Sequence, residues 1–231
     1  MRLDKLLANK AFGSRKEVHQ IIRDGRVTVN DAVILKKDQS IDIDDIIAVD
    51  GVQISTKQQY YIKFHKPAGY ITAVEDPTHP VVMDLLPPEF KKMGVFPVGR
   101  LDKDTEGLLL LTNDGIWAHS IINGHKHVPK VYYVEFNGKL TKEGIERIET
   151  GIVLGDGTQC KPANIDVLSE QSLHITIEEG KYHQVKRMIG AAGGEVTYLK
   201  RLSIGHITLN GIEAINTYSE IDDQDVVDFK K

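Results

Sequence analysis

Residues 99–112 read GRLDKDTEGLLLLT, a loop crowded with charges and glycines that runs directly into four consecutive leucines. Residues 96–98 (FPV), just before the loop, are apolar as well. A polar segment between two apolar ones predicts a surface loop that the core holds at both ends. From this stretch alone Asp102 has two interpretations. Its carboxylate accepts hydrogen bonds from nearby backbone amides in an Asx turn, or it serves a function.

Outward from this loop, short apolar segments of strand length predominate. The expected strands cover residues 60–64, 108–112, 131–136, 173–177, 196–199 and 204–209. Helical spacing of apolar residues appears near 116–122, 142–150 and 183–192. Because strands and helices do not alternate regularly, the sequence predicts an α+β fold with a mixed, largely antiparallel sheet and flanking helices.

The first fifty residues predict a small domain of their own. Apolar residues at spacing i, i+3, i+4 form two helical faces, at positions 3, 6 and 7 and at positions 18, 21 and 22. Ser14 with Glu17 is typical of a capping box that begins the second helix, and Gly25 is typical of a residue that ends it. Residues 51–59 are polar and predict a linker. We therefore expect one domain over 1–50 and a larger one over 60–231.

Charge is unevenly distributed along the chain. The net charge is −4, the pI is near 6.1 and the mean hydropathy is −0.25. Residues 1–37 nevertheless hold nine lysines and arginines against four acids. At 100° per residue, Lys16, His19 and Arg23 share one face of the second predicted helix, opposite its apolar face. A stripe of this kind favours a nucleic-acid partner for the N-terminal domain.

The chain lacks the features of several protein classes. Cys160 is the only cysteine, so neither an internal disulfide nor a cysteine zinc site can form. The longest aliphatic run, at 108–111, is too short to span a bilayer, and no apolar leader precedes a cleavage site, so we expect a cytoplasmic protein without a membrane partner. His119, His125 and His127 lack further ligands at metal-binding spacing, and no nucleotide-binding or serine-hydrolase motif is present.

A second charged segment reads EGKYHQVKRMI at residues 179–189. Val185, Met188 and Ile189 form an apolar helical face, which places Lys186 and Arg187 near the first turn of a helix. Cations gain nothing from the helix dipole at that end. They are therefore either solvated or paired with an anion, which can be a carboxylate of the protein or a phosphate.

The order of these motifs resembles one family. HKPAGY at 65–70, GRLDKDTEGLLLLTNDG at 99–115, KVYYV at 130–134 and EGKYHQVKRM at 179–188 are similar to the ordered motifs of the RsuA-type pseudouridine synthases. MRLDKLLA at 1–8 and SRKEVHQIIRDGRVTVN at 14–30 resemble the S4 RNA-binding domain that precedes the catalytic domain in that family. EDPTHP at 75–80 and RLSIGHITL at 201–209 are similar to the members that modify 16S ribosomal RNA.

The resemblance implies roles for individual residues. Asp102 matches the essential aspartate that acts on the target nucleoside, and Tyr132 matches the aromatic residue that packs on the uracil and can relay a proton. Lys186 matches the basic partner of the aspartate, a place where the family often has arginine, and Arg187 is the adjacent alternative. The residues expected to bind RNA are Arg2, Lys5, Arg15, Lys16, Arg23, Arg26, Arg100, Lys181, His183, Gln184 and Arg187.

The implied reaction breaks the N-glycosidic bond of a uridine, turns the ring and joins C5 to C1′, so it requires no cofactor or metal. The carboxylate acts either as a nucleophile or as a base on the sugar C2′ proton, and the uridine must leave its stack to be reached. The implied partner is 16S ribosomal RNA in an assembling small-subunit particle, and we expect a monomer. Two alternatives remain open, namely a sibling synthase acting on 23S rRNA and a non-catalytic ribosome-associated S4 RNA-binding protein.

Overall fold

The computed structural model describes residues 1–10, 12–123 and 127–229. The chain divides into two compact units, one of Met1–Tyr60 with Leu86–Val95 and one of Tyr61–Leu85 with Phe96–Lys231. Each unit has a hydrophobic core of its own. Across the described ranges, no helix combines the length and the apolar character needed to cross a membrane.

The first unit combines three helices with a small antiparallel sheet in the described residues. Its elements are α1 (Leu3–Asn9), α2 (Arg15–Arg23), β1 (Val27–Val29), β2 (Ala32–Val33), β3 (Ile47–Val49), β4 (Val52–Ile54) and α3 (Pro88–Lys92). The strands lie in the order β2-β1-β3-β4. The apolar faces of α1 and α2 share one core with the inward residues of β1 and β3.

The capping box predicted for α2 is confirmed. The backbone N–H of Ser14 donates to Glu17 Oε2 at 2.7 Å, and the N–H of Glu17 donates to Ser14 Oγ at 3.5 Å. Gly25 follows the helix with a φ of 70°, a left-handed conformation that glycine adopts without a Cβ clash. Helix α2 therefore begins and ends where the local sequence predicts.

The segment predicted as a linker, 51–59, contains strand β4. This strand pairs with β3 through a hairpin whose central residues, Asp50 and Gly51, have φ values of 52° and 78°. An Asp-Gly pair with two positive φ angles is typical of a tight hairpin turn. The polar composition therefore reflects an exposed edge strand, and the part of this segment without regular structure is 55–59. The first unit also takes up Leu86–Val95, which the sequence did not indicate.

The second unit is built on a nine-stranded sheet within the described residues. Its strands are β5 (Tyr61–Lys66), β6 (Phe96–Val98), β7 (Glu106–Thr112), β8 (Lys130–Gly138), β9 (Asn164–Ser169), β10 (Ser172–Ile177), β11 (Gly194–Ile204), β12 (Ile207–Thr208) and β13 (Tyr218–Glu220). Its helices are a 3-10 turn (Val82–Leu85), α4 (Gly115–Ile122), α5 (Lys142–Thr150), α6 (Gln184–Ala191) and α7 (Asp223–Asp228).

The order of the large sheet is β13-β5-β7-β11-β8-β10-β9, with β12 beside β11 and β6 beside β7. Each of these pairs is antiparallel except β7 with β11, which is parallel. The predicted mixed, largely antiparallel sheet is thus confirmed. Strand β11 is longer than the predicted 196–199, and the expected strand at 204–209 is instead a turn at Gly205 followed by the short β12.

Gly107 allows the parallel strands β7 and β11 to approach closely. A Cβ atom built on Gly107 would lie 2.2 Å from the carbonyl oxygen of Arg201 and 2.5 Å from its backbone nitrogen. Its φ is 107°, which residues with a side chain rarely adopt. Glycine at this position therefore lets Arg201 lie directly beside the strand that follows the charged loop.

We expect Gly107→Ala to lower the free energy of unfolding by at least about 2 kcal/mol, because the added methyl group meets backbone atoms and the φ value is strained. Gly115→Ala is the matched control, since a Cβ there meets no described atom within 4 Å. Its effect should stay below about 1 kcal/mol. Urea denaturation followed by circular dichroism measures both, and equal stabilities would contradict the close approach.

Candidate active site

A buried ammonium group holds the loop that carries Asp102. Lys66 ends strand β5 and is fully buried. Its Nζ donates to the carbonyl oxygens of Thr105 at 2.8 Å, Pro67 at 3.0 Å, Asp102 at 3.1 Å and Lys103 at 3.3 Å. The ammonium group therefore holds the backbone at and after Asp102 through hydrogen bonds from a single nitrogen atom.

Burial is the strongest influence on the pKa of Lys66. Burial lowers the pKa of Lys66 to about 8, while the carboxylates of Asp104, Asp102 and Glu106 act in the opposite direction. Several carbonyl oxygens that converge in a tight loop need a donor, because a buried oxygen without a partner destabilises the fold. Lys66 adds its donor to those of the Gly69 and Thr105 amides, which reach the carbonyl oxygens of Lys103 and Asp102.

Hydrogen bonds from Thr72 and Gly69 also support the backbone of the loop. The hydroxyl of Thr72 donates to the carbonyl oxygen of Leu101 at 2.7 Å and accepts from the Leu101 N–H at 3.1 Å. The N–H of Gly69 donates to the carbonyl oxygen of Lys103 at 2.7 Å. The segment 66–72, which contains the KPAGY motif, thus holds the charged loop along most of its length.

The Asp102 carboxylate lies between two basic side chains at the start of α6. Lys186 Nζ is 3.4 Å from Oδ2, and His183 Nε2 is 3.5 Å from Oδ1. His183 reaches this position with a φ of 46°, a strained conformation of the kind found at functional sites. Lys186 also pairs with Asp104. Burial is the largest single influence on the pKa of Asp104 and raises it, but the hydrogen bond and the charge of Lys186 together with smaller influences keep this pKa below its usual value.

The two adjacent cations of α6 have different partners. Arg187 NH2 lies 2.5 Å from Asp156 Oδ1, and its NH1 donates to the carbonyl oxygen of Tyr182 at 3.3 Å. Lys186 instead faces the loop. Of the two alternatives raised by the sequence, the structure therefore brings Lys186, and not Arg187, to Asp102.

Asp102 lines a cavity of about 820 Å³. Tyr132 on β8 lines the same cavity, as does Arg201 on β11. Arg201 NH1 donates to the Tyr132 hydroxyl at 3.4 Å, and its Nε donates to the carbonyl oxygen of Leu108 at 2.7 Å. The apolar part of the lining includes Val98, Ile121, Ile177, Leu199 and Ile204. A cavity of this size, which combines apolar side chains with polar and charged ones, suits a nucleoside with its planar base and polar sugar.

The other predicted RNA-binding residues near the cavity differ in what they already contact. Arg100 is exposed and lines the cavity. Lys181 Nζ pairs with Glu179 Oε2 at 2.8 Å. The buried amide of Gln184 donates to Glu179 at 2.6 Å and accepts from the Lys181 N–H at 2.9 Å. Arg100 is therefore open to RNA, whereas Gln184 supports the segment 179–184.

In the first unit, two of the predicted RNA-binding cations are engaged by carboxylates. Arg2 donates twice to Asp4, at 2.7 and 3.0 Å, and Arg26 donates twice to Asp50, at 2.5 and 2.8 Å. The hydrogen bond from Arg2 is the largest influence that lowers the pKa of Asp4 to about 2. The remaining predicted cations are exposed on the two helices, and they are Lys5, Arg15, Lys16 and Arg23.

Lys66 and Arg201 lie in the motifs at 65–70 and 201–209, but neither was predicted as a site residue. A signal for each was present. In β5, Lys66 continues the alternation of the buried residues Ile62 and Phe64, and in β11 Arg201 follows the buried Leu199 by two positions. Side chains two positions apart point to the same face of a strand. A charged residue in phase with apolar ones indicates a buried polar role.

The described residues offer little for metal or thiol chemistry. Within them, no group of three His, Cys, Asp or Glu side chains could hold a metal ion. His125, one of the three histidines considered for metal spacing, lies outside the described residues. Cys160 is buried, and burial raises the pKa of its thiol.

Comparison with known proteins gives consistent matches over the whole length. Residues 60–191 match the RNA pseudouridylate synthase family, and residues 1–47 match the S4 domain. The chain is 42% identical to "Uncharacterized RNA pseudouridine synthase YtzG" of Bacillus subtilis, over 98% of this chain and 97% of the relative. It is 35% identical to "Ribosomal small subunit pseudouridine synthase A" of Escherichia coli, over 98% of each. A solved structure titled "Crystal structure of pseudouridylate synthase" matches with a TM-score of 0.69 and 29% identity, covering 99% of both chains.

We expect Lys66→Met to loosen the loop, because methionine cannot donate to the converging carbonyl groups. Amide hydrogen exchange at Thr105 and Gly69, whose N–H groups donate to carbonyl oxygens of the loop, should become at least ~10-fold faster. Lys63→Met, on the same strand, is the matched control and should leave both amides unchanged. Unchanged exchange in Lys66→Met would show that the loop keeps its shape without the ammonium group.

Proposed function

Because this chain belongs to the RNA pseudouridylate synthase family and carries an S4 domain, we propose that its target is a uridine of small-subunit (16S) ribosomal RNA and that Asp102 acts on the extruded nucleoside. The protein is an isomerase that converts uridine in RNA to pseudouridine. The observation that carries the assignment of Asp102 is its carboxylate, held between Lys186 and His183 where it lines the large cavity.

The choice of RNA follows from relatives that span the whole chain. Proteins named "Ribosomal small subunit pseudouridine synthase A" from Pasteurella multocida and Escherichia coli are 33% and 35% identical to this chain and cover 98% of it or more. An S4 domain with exposed cations on α1 and α2 supports an RNA substrate recognised beyond the target nucleotide. Together these points favour a site in the small-subunit rRNA.

Asp102 can act on the ribose in two ways. Its carboxylate can attack C1′, or it can remove the C2′ proton, and both routes need an ionised carboxylate in a space shielded from water. Lys186 supports this role because its ammonium group compensates the negative charge from 3.4 Å away. The contacts from Lys66 to the loop backbone hold the carboxylate in place, so that less reorganisation is needed during the reaction.

Tyr132 suits the base rather than the sugar. The residue is 7% exposed and lines the cavity, so an extruded uracil can rest against an aromatic side chain whose position is fixed by β8. Its hydroxyl, which accepts from Arg201, can relay a proton. We therefore assign Tyr132 to packing on the uracil and to proton transfer.

Asp102→Asn should reduce pseudouridine formation by at least ~10²-fold while RNA affinity is kept, because the amide can neither attack C1′ nor accept a proton. Tritium release from C5-labelled uridine in RNA measures the rate. Asp104→Asn is the matched control, since this neighbouring carboxylate is 74% exposed and is expected to cost less than ~10-fold. Near-normal release by Asp102→Asn would contradict its assignment.

Mapping of pseudouridine in cellular rRNA tests the substrate. RNA from cells with and without this chain should differ at a position in 16S rRNA, and Asp102→Asn should not restore the modification. A difference in 23S rRNA instead would identify the sibling specificity. No difference in either RNA would indicate a protein that binds rRNA without modifying it.

Lys186→Met should lower the rate at saturating RNA by ~10²-fold, whereas Lys186→Arg should retain much of it because the positive charge is kept. Arg187→Met is the matched neighbour. Its guanidinium group contacts Asp156, so its loss should mainly raise the RNA concentration needed for saturation. Single-turnover kinetics over a range of RNA concentrations separates these effects. The reverse pattern would assign the role to Arg187.

The exposed cations of α2 should account for part of the salt dependence of RNA binding. Replacing both Lys16 and Arg23 by glutamine should lower the slope of log affinity against log salt by roughly 0.7 to 0.9 per lost phosphate contact. Arg26→Gln is the control, because Asp50 already engages that guanidinium group and a smaller change is expected. Fluorescence anisotropy across a series of KCl concentrations gives the slopes, and an unaltered slope in the double variant would argue against α2 as the contact.

A further inference from the structure

Arg201 lines the catalytic cavity and carries a buried donor without a hydrogen-bond partner among the described residues. The residue is 3% exposed, and its NH2 group has no hydrogen-bond partner within the part of the chain that the structure describes. Arginine is almost never fully buried unless its charge is paired, because an uncompensated buried charge destabilises a fold. The position of this donor therefore calls for a partner that the protein itself does not supply.

The other two nitrogen atoms of Arg201 fix the direction of the free one. Nε donates to the carbonyl oxygen of Leu108 on β7, and NH1 donates to the hydroxyl of Tyr132 on β8. Since the guanidinium group is planar, these two contacts leave NH2 little freedom to turn. Strand β11 lies between β7 and β8, and Gly107 is what permits its close approach to β7. The donor is thus built into the centre of the sheet.

A second cation lies near the first. Lys130 on β8 lines the same cavity and donates to the carbonyl oxygen of Val128 at 3.0 Å. Burial, and after it the charge of Arg201, lower the pKa of Lys130 to about 8. Arg201 is buried and Lys130 is half-buried, and two basic groups that line one cavity create a positive potential, which favours a ligand that carries or acquires negative charge.

We propose that the extruded uracil, on entering the cavity, displaces the side chains that cover the NH2 group of Arg201, and that this group then donates to a carbonyl oxygen of the base and stabilises the negative charge that this oxygen acquires when the glycosidic bond breaks. This inference rests on the cavity being the site of the proposed reaction. It makes Arg201 a further catalytic residue, with a role separate from those of Asp102, Tyr132 and Lys186.

The charge arises from the bond changes of the reaction. When the C1′–N1 bond breaks, its electron pair moves to N1 and is shared with the two carbonyl oxygens of the detached uracil. The ring turns, and the electrons of the anion form the new C5–C1′ bond. C5 then loses its proton, and N1 takes up a proton, so product and substrate have the same composition. A fixed donor at a carbonyl oxygen lowers the barrier because the charge is largest when the base is detached.

The surroundings of Arg201 favour the base over a phosphate. Leu199, Ile204 and Ile177 line the cavity beside it, and these apolar side chains suit the faces of a pyrimidine. A phosphate is charged before, during and after the reaction, so the free energy of desolvation is smaller when it binds at a position that water can still reach. Arg100, which is exposed at the cavity, offers such a place. The buried NH2 group of Arg201 therefore suits a carbonyl oxygen that becomes charged only during the reaction.

Substitution of Arg201 combined with a better leaving group tests the proposal. A synthetic RNA fragment is made with uridine or 5-fluorouridine at the one position that rRNA mapping assigns to this enzyme. Fluorine withdraws electrons and stabilises the detached base without help from the protein. Under single-turnover, saturating conditions, Arg201→Gln should slow consumption of uridine by ~10²-fold and of 5-fluorouridine by less than ~10-fold, with RNA affinity unchanged. Chromatography of nuclease digests measures both rates.

Two further variants keep the test decisive. Arg201→Lys keeps the positive charge and should lose less than Arg201→Gln, again with a smaller loss for 5-fluorouridine, and it carries the same comparison if the glutamine variant does not fold. Tyr198→Phe removes the hydrogen bond to Glu106 that also joins β11 to β7, and it should leave both rates unchanged. It is the matched control for damage to the sheet.

Equal losses for the two nucleosides would overturn the proposal, because a structural defect or a displaced Tyr132 slows both alike. An unchanged rate, or a loss of RNA affinity alone, would overturn it as well, and the latter would assign Arg201 to a phosphate. The RNA fragment is taken from whichever rRNA the mapping of pseudouridine identifies as the substrate. If the proposed 16S target is wrong, the mapping shows this, and the comparison of uridine with 5-fluorouridine can still be made.

Discussion

The ammonium group of Lys66 is the contact on which the geometry of the site depends. It joins the end of strand β5 to the carbonyl oxygens of a loop that has no regular structure of its own. A loop held only by its own turns would change the position of Asp102 with every fluctuation. The burial of Lys66, which lowers its pKa to about 8, is the cost of this support. The loop is thereby joined to strand β5 of the large sheet.

The basic groups of the cavity are divided between two tasks. Lys186, near the start of α6, compensates the carboxylate of Asp102 before any substrate arrives, and the imidazole of His183 lies 3.5 Å from the same carboxylate. Arg201 and Lys130 lie on strands of the sheet. Arg201 donates to the Leu108 carbonyl oxygen and the Tyr132 hydroxyl rather than to a carboxylate, and Lys130 donates to the Val128 carbonyl oxygen while the charge of Glu178 acts on it. In our proposal they meet the charge that appears on the base. An isomerisation adds and removes no atoms, so the enzyme contributes mainly by stabilising the charges that develop during the reaction. The basic groups of the cavity can provide this stabilisation.

Local sequence signals predicted the elements that depend on local interactions. The capping box of Ser14 and Glu17 and the antiparallel character of the large sheet are examples that the structure confirms. The strand at Val52–Ile54 was missed because its polar composition resembles a linker, although the Asp50-Gly51 pair signals a hairpin. The inclusion of Leu86–Val95 in the first unit had no local signal, since it depends on contacts between segments distant in sequence.

By itself, the sequence determined the identities and order of the groups that the site uses. The loop with Asp102, the strand with Tyr132 and the helix with Lys186 were all recognisable from motifs and from apolar spacing. Only the tertiary structure decided which groups meet. It brought Lys186 rather than Arg187 to Asp102, turned Lys66 inward to the loop, and left one donor of Arg201 buried without a partner among the described residues. The physical reason is that hydrogen bonds and ion pairs act over a few ångströms, and residues 66, 102, 132, 186 and 201 come within that range only when the sheet has formed.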